Sequence, residues 1–140
     1  MAYALEKSIG FKINQTANKI NNKFNALLQK YDIAPEQRAT LEIIKYEKDV
    51  NQTKIANILA KDKTTISRTL ATLEKKGFIV KKQIDKRTNL IELTLEGEKI
   101  LEESALIVKK FREKVSSTLN KDEINKIVEL LKKVALSMEE

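Results

Sequence analysis

Residues 62–94 read DKTTISRTLATLEKKGFIVKKQIDKRTNLIELT. The stretch predicts a helix, a glycine stop and two short strands joined by a charged tip. The helix spans about residues 63–76. Asp62 is its N-cap, because a carboxylate there accepts from the free backbone N–H groups of the first turn. Ile66, Leu70 and Leu73 recur at helical spacing and form one apolar stripe. Gly77 follows Lys75 and Lys76, a C-terminal stop with cations at the negative end of the helix dipole. After it, Phe78 to Val80 and Leu90 to Leu93 are β-rich, and Asp85, Lys86, Arg87, Thr88 and Asn89 form a polar hairpin tip.

The other face of the helix carries Lys63, Thr64, Thr65, Ser67, Arg68 and Thr72. A merely solvated face mixes glutamate with lysine. This one offers hydrogen-bond donors and positive charge near the helix N-terminus, where a helix–turn–helix reading helix meets base edges and phosphates. Helix followed by hairpin in this register is the pattern of a winged helix.

On these residues the chain resembles the MarR (multiple antibiotic resistance regulator) family, most like its SlyA-type members. The family signature, D-x-R, five residues, then L-T, stands here as Asp85, Arg87, Leu93 and Thr94. The helix TTISRTLATLEKKGFI is similar to the family's reading helix, and the resemblance extends over nearly the whole chain. It implies a mostly α fold with a minor β component: a winged helix–turn–helix with long N- and C-terminal dimerisation helices. It implies one MarR-type domain over 1–140, with 1–31 and 96–140 as dimerisation helices and 35–94 as the DNA-binding region. It also implies that Arg87 enters the minor groove while Asp85 steadies the wing and nearby arginines. A narrow minor groove concentrates negative potential and attracts arginine. An acid where phosphates approach is otherwise out of place, which supports a structural role for Asp85.

The whole chain has 140 residues, enough for one domain with a core. Three Gly and one Pro, with abundant Lys, Glu, Ile and Leu, argue for helix. The net charge is +7, and residues 61–87 hold nine cations against three acids, so nearly all the excess lies on the reading unit. There is no cysteine and no histidine. A thiol switch is therefore absent, a zinc sensor is disfavoured, and the commonest general base is missing. No metal, cofactor or catalytic residue is expected. The N-terminus shows no signal-peptide pattern and no apolar run approaches membrane-spanning length, so a soluble cytoplasmic protein without membrane partners is expected.

The remaining segments read as helices. Residues 3–30 form one long amphipathic helix with Ile9, Ile13, Ile20, Phe24, Leu27 and Leu28 on its stripe. Pro35 opens a second helix to Tyr46 that buries Ala39, Leu41, Ile43 and Ile44. Lys48 to Val50 make a short link with one β-bridge at Val50. Asn51 caps a third helix, residues 52–60, with Ile55, Ile58 and Leu59 inward. Gln52, Thr53 and Lys54 at its N-terminus suit phosphate positioning. Arg68 is the first choice for a base contact, because a guanidinium binds guanine O6 and N7 in bidentate fashion. Lys81, Lys82 and Lys86 are phosphate contacts or solvated side chains, and Lys82 joins Gln52, Thr53 and Lys54 as a phosphate contact. Thr94 caps a helix to about Leu119 that carries Leu101, Ile107, Val108, Phe111 and Val115. Asn120 and Glu123 resemble a capping box opening a last helix with Ile124, Ile127, Val128, Leu131, Val134, Ala135 and Met138 on one stripe.

Two readings follow. The first is a homodimeric, sequence-specific regulator of transcription, a repressor on a pseudo-palindromic duplex DNA operator. The family resemblance adds release by a small aromatic or anionic effector, for which no residue here announces a pocket. The second is a non-specific architectural or helical interaction module without an effector.

Overall fold

The computed structural model describes residues 4–139. In order, the elements are α1 (Ala4–Lys7), α2 (Ile9–Leu28), a 3-10 turn (Gln29–Tyr31), α3 (Pro35–Tyr46), α4 (Gln52–Leu59) and α5 (Lys63–Lys75). They continue with β1 (Ile79–Gln83), β2 (Asn89–Leu93), α6 (Leu95–Val115) and α7 (Lys121–Leu136). The chain divides into two compact units, Met1–Leu106 and Ile107–Glu140, and the division falls inside α6.

The first unit holds the winged helix. The expected single N-terminal helix is interrupted at Ser8. Its backbone is extended and its hydroxyl accepts from Phe11 N–H at 3.2 Å, so it caps α2 instead of continuing α1. Tyr3, where that helix was expected to begin, lies outside the described residues. Ile9 is 65% exposed, while Leu28 at the other end of α2 is fully buried. Pro35 occupies the first turn of α3, and Asn51 caps α4 by accepting from Lys54 N–H at 2.8 Å. Ala60, with φ +54, ends α4 one residue earlier than its periodicity suggests. Ile55 and Ala56 are buried there, whereas Ile58, expected inward, is 49% exposed. In α3, Leu41 and Ile44 are buried, whereas Ala39 and Ile43 are only half-buried.

Ile66, Leu70 and Leu73 of α5 join Leu41, Ile55, Ile79 and Ile91 among the buried side chains of this unit. Removing that much apolar surface from water is the main favourable contribution to folding. Gly77, at φ +83, supplies the left-handed turn that an L side chain rarely adopts. β1 and β2 then pair antiparallel, from Ile79 opposite Leu93 to Gln83 opposite Asn89. The sheet has two strands. The bridge expected at Val50 is reduced to one backbone bond, Ile91 N–H to Val50 C=O at 2.8 Å.

The wing is locked to the start of α6 by close backbone approach. Thr94 Oγ1 accepts from Gly97 N–H at 3.1 Å and donates to Gly77 C=O at 2.5 Å. A Cβ on Gly97 would lie 2.2 Å from the Phe78 carbonyl oxygen, so only glycine fits. A buried cation links α3 to α6 within the same unit. The Arg38 guanidinium donates to Ser104 Oγ at 2.7 Å, Leu101 C=O at 3.3 Å and the Glu42 carboxylate at 2.8 Å. These partners satisfy a charge that would otherwise be costly to bury.

The second unit contains the end of α6 and all of α7. α6 stops at Val115 rather than near Leu119. The Ser117 hydroxyl donates to Lys114 C=O at 2.7 Å, a local bond that competes with helix continuation. Val108 and Phe111 are buried, but Val115, expected inward, is 45% exposed. The capping box of α7 is complete: Glu123 N–H donates to Asn120 Oδ1 at 2.9 Å, and Asn120 N–H to Glu123 Oε1 at 3.0 Å. No residue of α7 is buried, although its stripe carries Ile127, Val128 and Leu131.

Candidate nucleic-acid interface

α4, the turn at residues 60–62 and α5 form a helix–turn–helix. Asp62 starts α5 as a cap, its carboxylate accepting from Thr65 N–H at 2.7 Å. That hydrogen bond, more than the nearby Arg68 charge, holds the Asp62 carboxyl below the usual carboxylate range. With Ile66, Leu70 and Leu73 facing inward, Lys63, Thr64, Ser67 and Arg68 are exposed on α5. Thr65 and Thr72 are half-buried. The Thr72 hydroxyl donates back to Arg68 C=O at 3.1 Å and is already engaged within the helix.

The wing tip is built on Asp85. Its Oδ1 accepts from both Arg87 N–H and Thr88 N–H at 2.8 Å, and Ile84 N–H donates to Thr88 C=O at 2.9 Å below it. This is an Asx-type turn, in which a short carboxylate replaces a backbone acceptor. The bonds from Arg87 first and Thr88 second lower the Asp85 carboxyl from its ordinary value. Asp85 thus fixes the backbone that presents Arg87 and Lys86, both exposed. Its bonds go to backbone amides rather than to an arginine side chain.

Several cations around the reading head have an acid within ion-pair range. Lys54 lies 3.7 Å from Glu47, Lys61 3.7 Å from Glu36 and Lys76 3.8 Å from Asp32. Lys82 lies 4.0 Å from Glu92, at the limit of an ion pair and well exposed. Among the described residues Lys63, Arg68, Lys75, Lys81, Lys86 and Arg87 make no ion pair. They lie on α5 and the wing, and Lys19, Lys23, Lys48 and Lys99 elsewhere in the unit are likewise outside any ion pair. Unneutralised charge on one surface raises the local concentration of a polyanion.

The phosphate-positioning group behaves unevenly. Thr53 is exposed at the start of α4. Gln52 donates through Nε2 to Lys63 C=O at 2.9 Å, tying α4 to α5. Lys54 Nζ donates to Lys48 C=O at 2.6 Å, a bond that competes with any phosphate.

Comparison with known proteins agrees with this geometry. The MarR family model matches residues 33–88. A Bacillus cereus protein described as an uncharacterized HTH-type transcriptional regulator is 32% identical over 127 residues, covering 90% of this chain and 86% of that protein. The chain belongs to the MarR family. A MarR/EmrR family transcriptional regulator from Acinetobacter sp. ADP1 superposes with a TM-score of 0.91 at 27% identity, over 98% of this chain and 99% of the other. A cysteine-to-serine mutant of E. coli MarR, solved in complex with operator DNA, gives 0.83 at 26% identity, over 95% and 99%. This chain is a DNA-binding transcriptional regulator with the MarR winged-helix fold.

Some residues that shape this MarR reading head had no readable role in the sequence. Thr69 is half-buried and donates to Glu36 Oε1 at 2.9 Å. Lys76, read only as a dipole cation, donates to Asp32 C=O at 2.6 Å and to Gln37 Oε1 at 3.4 Å. Their partners lie 33 to 44 positions away, beyond the reach of any periodicity. Two clefts also lie in the first unit. One, of about 540 Å³, is bordered by Asn21, Phe24, Pro35, Glu36, Leu59 and Lys61. The other, of about 320 Å³, includes Arg38, Lys45, Tyr46 and Glu98. In the second, Glu98 accepts from Lys45 at 2.6 Å, and that bond raises the lysine above its ordinary value.

Proposed function

We propose that this MarR-family protein is a homodimeric repressor, of the SlyA type, that acts in the cytoplasm on a pseudo-palindromic operator. α5 enters the major groove, with Arg68 reading a base and Lys63, Thr64, Thr65 and Ser67 adding base or phosphate contacts. Thr72 closes that face at its margin. Arg87 enters the flanking minor groove, Asp85 holds the wing tip, and Lys86, Lys82, Gln52, Thr53 and Lys54 supply backbone contacts. Residues 35–94 do the reading, and 1–31 with 96–140 make the dimer. The observation that carries this reading is the exposed Arg68 on an Asp62-capped α5 together with the wing tip, where the Asp85 turn presents an exposed Arg87.

Dimerisation is supported by α7. Ile127, Val128, Leu130 and Leu131 are each 44–46% exposed on a helix with no buried residue. A helical stripe of that kind is normally covered, and a second copy is the commonest cover. Two-fold symmetry then sets half-sites about one helical turn apart. An effector of small aromatic or anionic character fits the scale of the 540 Å³ cleft.

The test is titration of duplex from around the protein's own gene, against random duplex, at two salt concentrations. A preference of about a thousandfold with a pseudo-palindromic footprint is expected. Equal binding that vanishes with salt would instead make the basic face a non-specific clamp. Arg68→Ala is expected to lose about 1–3 kcal/mol on the operator and much less on random duplex. Equal losses on both would remove Arg68 from base reading.

A further inference from the structure

We propose that Glu36 is a positioning residue for DNA reading, holding the angle of α5 against α3 through Thr69. The inference rests on the reading of α5 as the helix that enters the major groove. Glu36 lies in the first turn of α3, where an acid suits the helix dipole without further purpose. Its carboxylate does more than face that dipole. Oε1 accepts from the Thr69 hydroxyl at 2.9 Å, and Oε2 stands 3.7 Å from Lys61 Nζ. One side chain therefore holds the middle of the reading helix and the turn that introduces it.

The hydrogen bond has a competitor. Thr69 Oγ1 also lies 3.2 Å from Thr65 C=O, the back-bond a threonine makes when left alone in a helix. A hydroxyl has one hydrogen to donate. The shorter, charge-assisted bond to Glu36 is the stronger of the two, so Thr69 is held by the scaffold rather than by its own helix. The Glu36 side chain is 30% exposed, and the contact is only partly screened by water.

Two other polar ties act on the same helix. Gln52 holds Lys63 C=O near its start, and Lys76 holds Asp32 C=O past its end. The apolar contacts of Ile66, Leu70 and Leu73 oppose separation of α5 from the core, but such contacts are non-directional. Rotation of a helix about its own axis is resisted best by directional bonds on its flank. Thr69 supplies the tie at mid-helix, one residue beyond Arg68. A small rotation there displaces the guanidinium from the two acceptors of a guanine edge.

The experiment compares Glu36→Ala, Glu36→Gln, Thr69→Val and the double variant Glu36→Ala with Thr69→Val. Each is titrated with promoter duplex and with random duplex, and backbone amide shifts of residues 64–72 are recorded without DNA. Glu36→Ala and Thr69→Val are each expected to lower the promoter-to-random ratio about tenfold and to move those shifts. The double variant should be no worse than either single one. Glu36→Gln retains an acceptor for Thr69 and should recover most of the ratio, although it loses the charge facing Lys61. An unchanged ratio and unchanged α5 shifts in Glu36→Ala, with only a lower Tm, would reduce Glu36 to a dipole acid and overturn the proposal. Additive losses in the double variant would overturn it too. If the wild-type protein itself fails to distinguish the duplexes, the operator reading fails, and the DNA-free shifts still decide whether Glu36 and Thr69 hold α5.

Discussion

α5 and α7 are two amphipathic helices of similar length with opposite fates. Ile66, Leu70 and Leu73 of α5 are at most 1% exposed. Nothing on α7 is buried, and Leu131 remains 44% exposed. The stripes are written in the same periodicity, yet one is satisfied within its own compact unit and the other is not. An apolar stripe states that a helix needs a cover. It does not state where the cover comes from.

The sharpest way to break this comparison is to truncate one leucine on each helix. Leu70→Ala should cost about 2–5 kcal/mol, because it leaves a cavity in a packed interior. Denaturant unfolding followed by circular dichroism measures it. Leu131→Ala should change that quantity far less at low protein concentration, where subunits are apart, and should instead weaken self-association in sedimentation equilibrium. A Leu131→Ala protein that associates like the wild type would remove α7 from the dimer interface.

A smaller effect is expected where the backbone of the reading head closes on itself. Gly97→Ala puts a methyl 2.2 Å from the Phe78 carbonyl oxygen. Forced overpacking of this kind costs about 1–3 kcal/mol. The shift should appear in the same unfolding experiment and should spread to the wing, since Thr94 and Phe78 share that corner. A stability equal to that of the wild type would mean that the corner relaxes freely.

The smallest expected effect is a pH dependence confined to the reading head. Asp62 and Asp85 both have carboxyls lowered by backbone N–H bonds. A group lowered in the folded state contributes its full stability above the unfolded value, about 4, and loses it as the pH falls through the folded value. Between neutral pH and about 5 neither cap should change. Below about 4, exchange protection at Thr65, Arg87 and Thr88 should fall before that at Lys54 of α4, whose Asn51 cap oxygen does not titrate. Simultaneous loss of protection in α4 and α5 in acid would remove the carboxylate caps as its cause.

The local chemistry of the reading head was legible because each signal spans only a few residues. Asp62 before Thr65, Gly77 after two lysines, Asp85 before Arg87, and Asn120 before Glu123 are caps and turns whose partners lie within three positions. Ser8 is the counterexample at the same range. Its hydroxyl caps a new helix at Phe11, and periodicity alone ran straight through it. Ile58 and Val115 failed differently. Both sit on the expected stripes, but Ile58 lies in the last turn of α4 and Val115 is the last residue of α6, and both are exposed.

By itself, then, the sequence determined the winged helix–turn–helix, the caps at Asp62, Asn51 and Asn120, the Gly77 stop and the basic face of α5, because those depend on periodicity and short-range hydrogen bonding. Only the tertiary structure decided which cations are neutralised, that Arg38 is buried against Ser104, and that Thr69 answers to Glu36. Arg38 and Ser104 lie 66 positions apart and Thr69 and Glu36 33, and no local pattern records which of many acids or hydroxyls will meet a given partner when the chain closes.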